Sequence, residues 1–480
     1  MFFPVLGYDR PMKWNWTTHR IASILSLPLQ GKDLAINAIK TDSRAIRPGD
    51  LFVAIKGDSF DGHDFIPQAI KAGAAAILSE RSGENPAGEF FHVQNTLQAI
   101  RKLAHAYRKQ FSIPLIGVVG AVGKTTTKEL ISSILHGRYA SILKTEGSQN
   151  GFLGIPLTLL QLKEKHEIGI IEIGIDEIGA MDQHLELVEP THLILTRTGP
   201  EHLHQLKTVE IAAREELRAF DYGLTRSIPL AINLSDPFVK SWHDAHRTEL
   251  GRIPHPTYSM NESDLAENTG RYDNTTNTLN LRSAPKVSTF PCPLPGEHHA
   301  HNLLASIVVS RFFGLQDAEI LAGISTFKTA YGRTEIYSIP GNSEVIGDHY
   351  NSNPTSLSAA LKLLREKTGA PQYHAVLGDM LELGEEEERF HREILQPIRE
   401  FGITHAWLFG PRMKNLFHEL QTNPAKAPAL RHFAHFDRIE DLSSALRSRI
   451  KPGARILVKG SRGMKMERVL DELIPGRRPS

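Results

Sequence analysis

Leu115-Ile116-Gly117-Val118-Val119-Gly120-Ala121-Val122-Gly123-Lys124-Thr125-Thr126-Thr127-Lys128-Glu129-Leu130 is the stretch on which the reading of this chain turns. Leu115 to Val119 is short and apolar, as a strand buried on both faces of a sheet would be. Gly120 to Thr126 reads as a loop, and from Thr127 onward Leu130, Ile131, Ile134 and Leu135 share one face of a predicted helix. A glycine loop between strand and helix lets backbone N–H groups and the helix N-terminus surround phosphates. Gly120, Ala121, Val122, Gly123, Lys124, Thr125 and Thr126 are the candidate cradle: Lys124 would neutralise β/γ oxygens and Thr125 would place its hydroxyl on a magnesium ion. Val118 stands at the first glycine position of the longer phosphate-loop pattern, so the shorter G-x-x-G-K-T-T form names ATP or GTP and not a reaction.

Outward from this loop the pattern is α/β. From Pro114 to about Ala330, apolar runs alternate with helical segments; Gly169 to Ile173, His192 to Leu195 and Ile228 to Ile232 fit a mostly parallel sheet. The polar stretch Asn261 to Leu281 looks like a hairpin or excursion at its edge. Before it, Leu51 to Ile55 and Ala74 to Leu78, the turn Arg47-Pro48-Gly49-Asp50 and a helical stretch from Thr96 to Gln110 make a small α/β domain. After Tyr331, the runs Val345-Ile346, Ala375 to Leu377, Ala406 to Phe409 and Ile456 to Val458 form a second doubly wound, Rossmann-like unit, whose ligands should gather at the carboxyl ends of its strands. The expectation is three domains, 1–110, 111–330 and 331–480. The acidic run Glu385 to Glu388 reads as a solvated helix start.

A chain of 480 residues is too long for one core, which agrees with several domains. The net charge of +1 removes the electrostatic argument for a nucleic-acid or anionic-membrane partner, so anionic ligands must be met locally. One cysteine, Cys292, cannot form an internal disulfide and points to a reducing compartment; with no histidine nearby it reads as a plain thiol. No run approaches the roughly 20 apolar residues of a membrane span. Met1 to Gly7 lacks the basic region and cleavage site of a signal peptide, and Met12 is a possible alternative start. A cytoplasmic monomer without stable membrane insertion is expected.

Several further segments, read with the loop, resemble the Mur ligases. They are Thr41-Asp42-Ser43-Arg44, Phe60 to Phe65, Gly154-Ile155-Pro156-Leu157-Thr158, Pro295-Gly296 through Asn302, Asp348 to Pro354, Leu377 to Gly384, and Val458 to Glu467. The resemblance spans all three expected domains. It implies an N-terminal domain for the UDP-sugar part of the substrate, with Asp42, Ser43 and Arg44 among its contacts, a central ATPase domain, and a C-terminal domain that closes over the nucleotide. It also implies a reaction in peptidoglycan precursor synthesis, with ATP and Mg2+ as cofactors. ATP phosphorylates the terminal carboxylate of UDP-N-acetylmuramoyl-tripeptide, and the amine of D-alanyl-D-alanine attacks the acyl phosphate.

Residue by residue, the resemblance makes Glu172, at the end of Ile171-Glu172-Ile173-Gly174, a metal-binding glutamate and His202 a second-metal histidine. Fourteen residues on, where the family usually places a carbamoylated lysine, stands Glu216. Either Glu216 supplies the negative oxygen directly, or it is an exposed helical glutamate. Asn150 matches a substrate loop in which Ser148 and Gly151 replace the usual asparagines. His298 and Asn302 fit G-x-H-x-x-x-N, with Asn302 the candidate for adenine contact. Arg333 lies at the junction of the second and third domains, where a guanidinium can reach the γ-phosphate on closure. Asp348 would bond the ribose, and Tyr350, Asn351 and Asn353 would line the closed site. Lys459, Ser461 and Arg462 sit in a second strand-end loop and either contact substrate or cap backbone. The competing functions are another amide ligase of the superfamily, of the folylpolyglutamate synthetase kind, and a nucleotide-binding protein without ligase chemistry.

Overall fold

The computed structural model describes residues 15–28, 31–57, 60–366, 369–474 and 476. The segment Met1 to Gly7 and the alternative start Met12 lie outside the described residues. The chain divides into two compact units: Met1–Leu115 with Ser141–Ile171 and Gln183–Pro190, and Ile116–Ala140 with Glu172–Asp182 and Thr191–Ser480.

In the first unit, the strands Ile39–Lys40, Leu51–Val53, Ala76–Ser79 and Glu89–His92 form a parallel sheet. Leu51, Val53 and Leu78 pack with Ile100 and Leu103 of the helix Thr96–Arg108. That helix is capped by the Asn95 side chain, which accepts from the Gln98 N–H. Its buried Arg108 donates to the carbonyls of Val188 and Glu189, which brings a segment distant in sequence into this unit.

The second unit carries two sheets. In one, Leu115–Val119, His192–Leu195, Leu230–Asn233, Thr257–Ser259 and Asn268–Asp273 are parallel neighbours in that order. The expected excursion is an antiparallel meander, continued by Thr278–Ser283 and Lys286–Pro291. In the other, the order is Glu335–Ile339, Ser343–Gly347, Arg455–Lys459, Tyr373–Gly378, His405–Phe409 and His432–Phe436. Only its first pair is antiparallel. The carboxyl ends of Ser343–Gly347 and Arg455–Lys459 lie side by side, since Gly347 pairs with Val458.

One boundary differs from the sequence reading. The helix behind the glycine loop runs Lys124–Leu135, so Lys124, Thr125 and Thr126 occupy its first turn and not the loop. Three consecutive threonines are weak helix formers, which hid the start from a periodicity argument. The acidic run behaves as expected, as a short 3-10 turn Gly384–Glu386 leading into the helix Glu387–Glu393.

The phosphate-loop helix is fixed from behind. Ser133 donates to the Gly323 carbonyl at 2.7 Å, and a Cβ on Gly323 would lie 2.3 Å from the Ile134 Cα. The helix Asp317–Ser325 can approach only because that side chain is missing. Gly323→Ala improves helix propensity but forces two backbones apart, and overpacking of this kind costs about 1–3 kcal/mol. Chemical denaturation should show that loss; a variant as stable as the parent would mean that the two helices separate freely.

Candidate functional site

Gly123 ends the loop at φ +92°, a conformation that side chains disfavour, and a Cβ there would lie 2.5 Å from Asn302 Oδ1. Asn302, on the helix Glu297–Phe312, is thereby placed against the loop. Ala121 and Val122 donate their N–H groups to the Arg197 carbonyl at 2.7 and 3.3 Å, which ties the loop to the end of the neighbouring strand His192–Leu195. The first-turn N–H groups of the helix point out of it, as they must where no preceding turn exists.

Lys124 is 6% exposed, and its Nζ donates to the Gly120 carbonyl at 2.5 Å and to Glu201 Oε2 at 3.1 Å. Burial alone would favour the neutral amine, but Glu201, Glu216 and Glu172 outweigh it and hold the lysine above its ordinary value. Thr125 Oγ1 donates to Glu172 Oε1 at 3.1 Å, and the fully buried Lys128 lies 3.4 Å from Glu172 Oε2. Sequence reasoning missed Glu201 and Lys128. Lys128 stands one turn after Lys124 and Glu201 immediately precedes His202, spacings that could have found both.

Glu216 is not an exposed helical glutamate. It is 1% exposed, accepts from the Gly120 N–H through Oε2 at 2.7 Å, and its Oε1 has no hydrogen-bond partner among the described residues. Burial pushes its carboxyl up to about 7, against the pull of Lys124. His202 has φ +50°, and its Nδ1 lies 2.7 Å from Glu382 Oε2.

The third-sheet residues meet at the carboxyl ends of two adjacent strands. Lys459 is 1% exposed and donates to Asp348 Oδ2 at 2.6 Å and to the Asn351 carbonyl at 2.9 Å. Although Asp348 is buried, this ammonium holds its carboxyl below the usual range. Arg333 lies over the Tyr350 ring, Cζ to centroid 4.7 Å, with its Nε buried and without a partner among the described residues. Ser461 donates to the Ser352 carbonyl and accepts from the Leu381 N–H. Lys459 and Ser461 thus cap backbone. Arg462 pairs with Glu467 and faces Tyr331 and Tyr350. Asn353 caps the helix Pro354–Glu366 through the Ser356 N–H, and Asn351 accepts from the Ser352 N–H. Burial lowers His298 to about 4 and pushes the Cys292 thiol up to about 12, so the cysteine stays a thiol at neutral pH.

In the first unit, Asp42 caps the turn Ser43–Ala45 and is held at about 2 by hydrogen bonds from Arg44. Ser43 donates to Gln68 Oε1 at 3.3 Å, and the Asn150 N–H donates to the Ser148 carbonyl.

Three family models match the chain in order: the Mur ligase family catalytic domain over residues 35–110, the Mur ligase middle domain over 118–310, and the Mur ligase glutamate ligase domain over 332–462. A UDP-N-acetylmuramoyl-tripeptide–D-alanyl-D-alanine ligase of Bacillus subtilis is 32% identical over 93% of this chain and 94% of its own length. The chain belongs to the Mur ligase family. An Escherichia coli relative of the same description is 29% identical over 95% of this chain and 98% of its own. A MurF ligase from Thermotoga maritima, solved in complex with ADP, superposes with a TM-score of 0.76 at 26% identity, over 91% of this chain and 96% of that one. The MurF structure from Acinetobacter baumannii gives 0.82 at 24% identity, over 97% and 99%, and supports the fold. This Mur ligase therefore has the three-domain α/β fold expected from its sequence.

Glu216 makes stability depend on pH with a definite sign. Its folded value of about 7 stands above the ordinary 4.5, so the native state keeps a proton there that the unfolded chain releases. That contribution is complete below about pH 4 and is lost as pH rises through 7. Glu216→Gln removes the dependence. Melting at constant ionic strength should show the variant gaining on the parent between pH 5 and 8, and a flat difference would mean that the carboxylate is charged throughout.

Proposed function

We propose that this Mur ligase is an ATP-dependent ligase that joins D-alanyl-D-alanine to UDP-N-acetylmuramoyl-tripeptide in cytoplasmic peptidoglycan precursor synthesis. The observation that carries the reading is the buried, charged Lys124 at the base of a helix N-terminus in a chain that aligns along nearly its whole length with ligases of that description. In the first half-reaction a carboxylate oxygen of the tripeptide attacks the γ-phosphorus of ATP, the bond to the β–γ bridging oxygen breaks, and ADP leaves. In the second, the amine of D-alanyl-D-alanine attacks the acyl carbon, a C–N bond forms, and phosphate and a proton depart.

Both halves concentrate negative charge, and this chain's residues are placed to answer it. Lys124 and the first-turn amides supply fixed positive charge and donors to the phosphates. Arg333, held against Tyr350, is the candidate for a contact on the γ-phosphate, with Asp348 for the ribose and Asn302 for the base. Gly120 to Thr126 form the remainder of the ATP cradle. Tyr350, Asn351, Asn353 and Arg462 border the substrate side, while Lys459 and Ser461 hold that loop in shape. Asp42, Ser43, Arg44 and Asn150 are assigned to the UDP-tripeptide.

Magnesium fits the donors present. Among the described residues no group of three or more His, Cys, Asp or Glu side chains could hold a metal by itself. Magnesium on phosphates needs only one or two protein oxygens, and Thr125 Oγ1 and Glu172 Oε1, 3.1 Å apart, are a pair of hard ligands of that kind. His202 is the candidate ligand for a second ion. The ion when bound would neutralise phosphate oxygens as a Lewis acid. The domain limits 1–110, 111–330 and 331–480 are proposed on the matched segments 35–110, 118–310 and 332–462. Among the described residues no helix is long and apolar enough to cross a membrane.

Phosphate release from ATP should require both UDP-N-acetylmuramoyl-tripeptide and D-alanyl-D-alanine, with the pentapeptide product seen by mass spectrometry. Lys124→Met should lower kcat by about a hundredfold or more, the scale for losing one fixed donor to a transition-state charge. Release supported by glutamate and a folate, and not by this pair, would replace the reading with the folate-extending one.

A further inference from the structure

Glu382 lies on the loop after the third-sheet strand Tyr373–Gly378, with φ +65°, where a residue bearing a side chain is strained. Its contact, His202, has φ +50°. Two strained residues therefore meet, and the surrounding backbone holds them together. The His204 N–H donates to the Glu382 carbonyl at 3.3 Å. Gly384, at φ +65°, approaches so closely that a Cβ would lie 2.8 Å from the Leu203 carbonyl oxygen.

The side chains complete a chain of contacts. Glu382 Oε2 lies 2.7 Å from His202 Nδ1, so that nitrogen carries the hydrogen and donates. The opposite ring nitrogen, Nε2, is turned toward Glu201, 3.8 Å from Oε1, and the other oxygen of Glu201 lies 3.1 Å from Lys124 Nζ. With 60% of the Glu382 side chain exposed, the pair contributes little to stability. Its effect is to fix which edge of the imidazole faces the phosphate loop. Carboxylates that receive the far N–H of a functional histidine orient it in this way.

We propose that Glu382, carried by the third-sheet part of the chain, is a positioning residue for the ligase reaction, acting through His202. The proposal rests on the reading of His202 as a ligand to the cation that accompanies the phosphates, and it adds that this edge is presented only while the 382–384 loop is docked.

Glu382→Ala, Glu382→Gln and His202→Ala, each in the full chain, test it through two readouts: the magnesium concentration for half-maximal turnover at saturating ATP, and amide hydrogen exchange over His202–Leu206 in the nucleotide-free protein. Glu382→Ala should raise the magnesium requirement about tenfold or more. It should also speed exchange in that segment and leave the melting temperature within about 2 °C, as an exposed pair allows. Glu382→Gln, whose amide oxygen still accepts from Nδ1–H, should recover most of both. If His202→Ala raises the magnesium requirement and Glu382→Ala moves neither readout, Glu382 does not position the ring and the proposal is overturned. A His202→Ala enzyme with the parental magnesium requirement removes the reading of His202 as a ligand, and the role of Glu382 with it.

Discussion

An ammonium group cut off from water must be surrounded by negative charge, and Lys124 imposes that demand on the structure around the phosphate loop. Left alone at 6% exposure, it would carry a desolvation penalty of several kcal/mol. The carboxylates that offset the penalty come from three places far apart in sequence: Glu172 at the end of a strand, Glu201 in a strand-to-helix loop, and Glu216 on the helix Val209–Thr225. The sheet order is what brings them together. His192–Leu195 is the neighbour of Leu115–Val119, so the loop leaving the former delivers Glu201 to the mouth of the latter.

The same rule shapes the third sheet. Asp348 and Lys459 follow or end adjacent parallel strands, and each is nearly buried, so each makes the other tolerable. Lys459 uses its remaining hydrogens on backbone carbonyl oxygen, which freezes the Asp348 to Asn351 turn. Removing either partner would strand a buried charge, a larger loss than the pair itself contributes. Lys459, which from sequence could contact substrate or cap backbone, therefore braces the Asp348 to Asn351 turn.

Elements whose apolar pattern is uninterrupted were legible without coordinates. Leu115–Val119 is apolar throughout, and the third-sheet strands Tyr373–Gly378, His405–Phe409 and Arg455–Lys459 have buried apolar centres between turns, whereas the half-buried outer strands Glu335–Ile339 and His432–Phe436 mix polar and apolar residues and were not read. Contacts made across sequence were not legible. Glu201 could be noticed beside His202, but its partner Lys124 could not, and nothing local to Glu382 announces His202; these contacts come from the packing of separate elements. Glu216 shows both sides. Its position could be counted from His202, but its burial follows from the Val209–Thr225 helix packing beneath the loop, with Ala212, Ala213, Ala219 and Phe220 inward. The start of the phosphate helix was hidden for a different reason, because threonine disfavours helix interiors and is accepted in a first turn whose N–H groups are left for a ligand.

The charge balance around Lys124 also constrains what can bind. Two buried lysines, 124 and 128, face the carboxylates of Glu129, Glu172 and Glu201, and burial holds the neighbouring Glu216 up at about 7, so the lysines leave no excess of positive charge. A nucleotide triphosphate adds several negative charges next to these carboxylates. In a water-poor site such like charges repel far more strongly than in solution. For the anion to enter, either a carboxylate must take up a proton or a cation must arrive with the phosphates. The first route has an acceptor in Glu216, whose Oε1 is buried without a hydrogen-bond partner among the described residues; the second has the oxygen pair of Thr125 and Glu172. On the proposed reading both operate together.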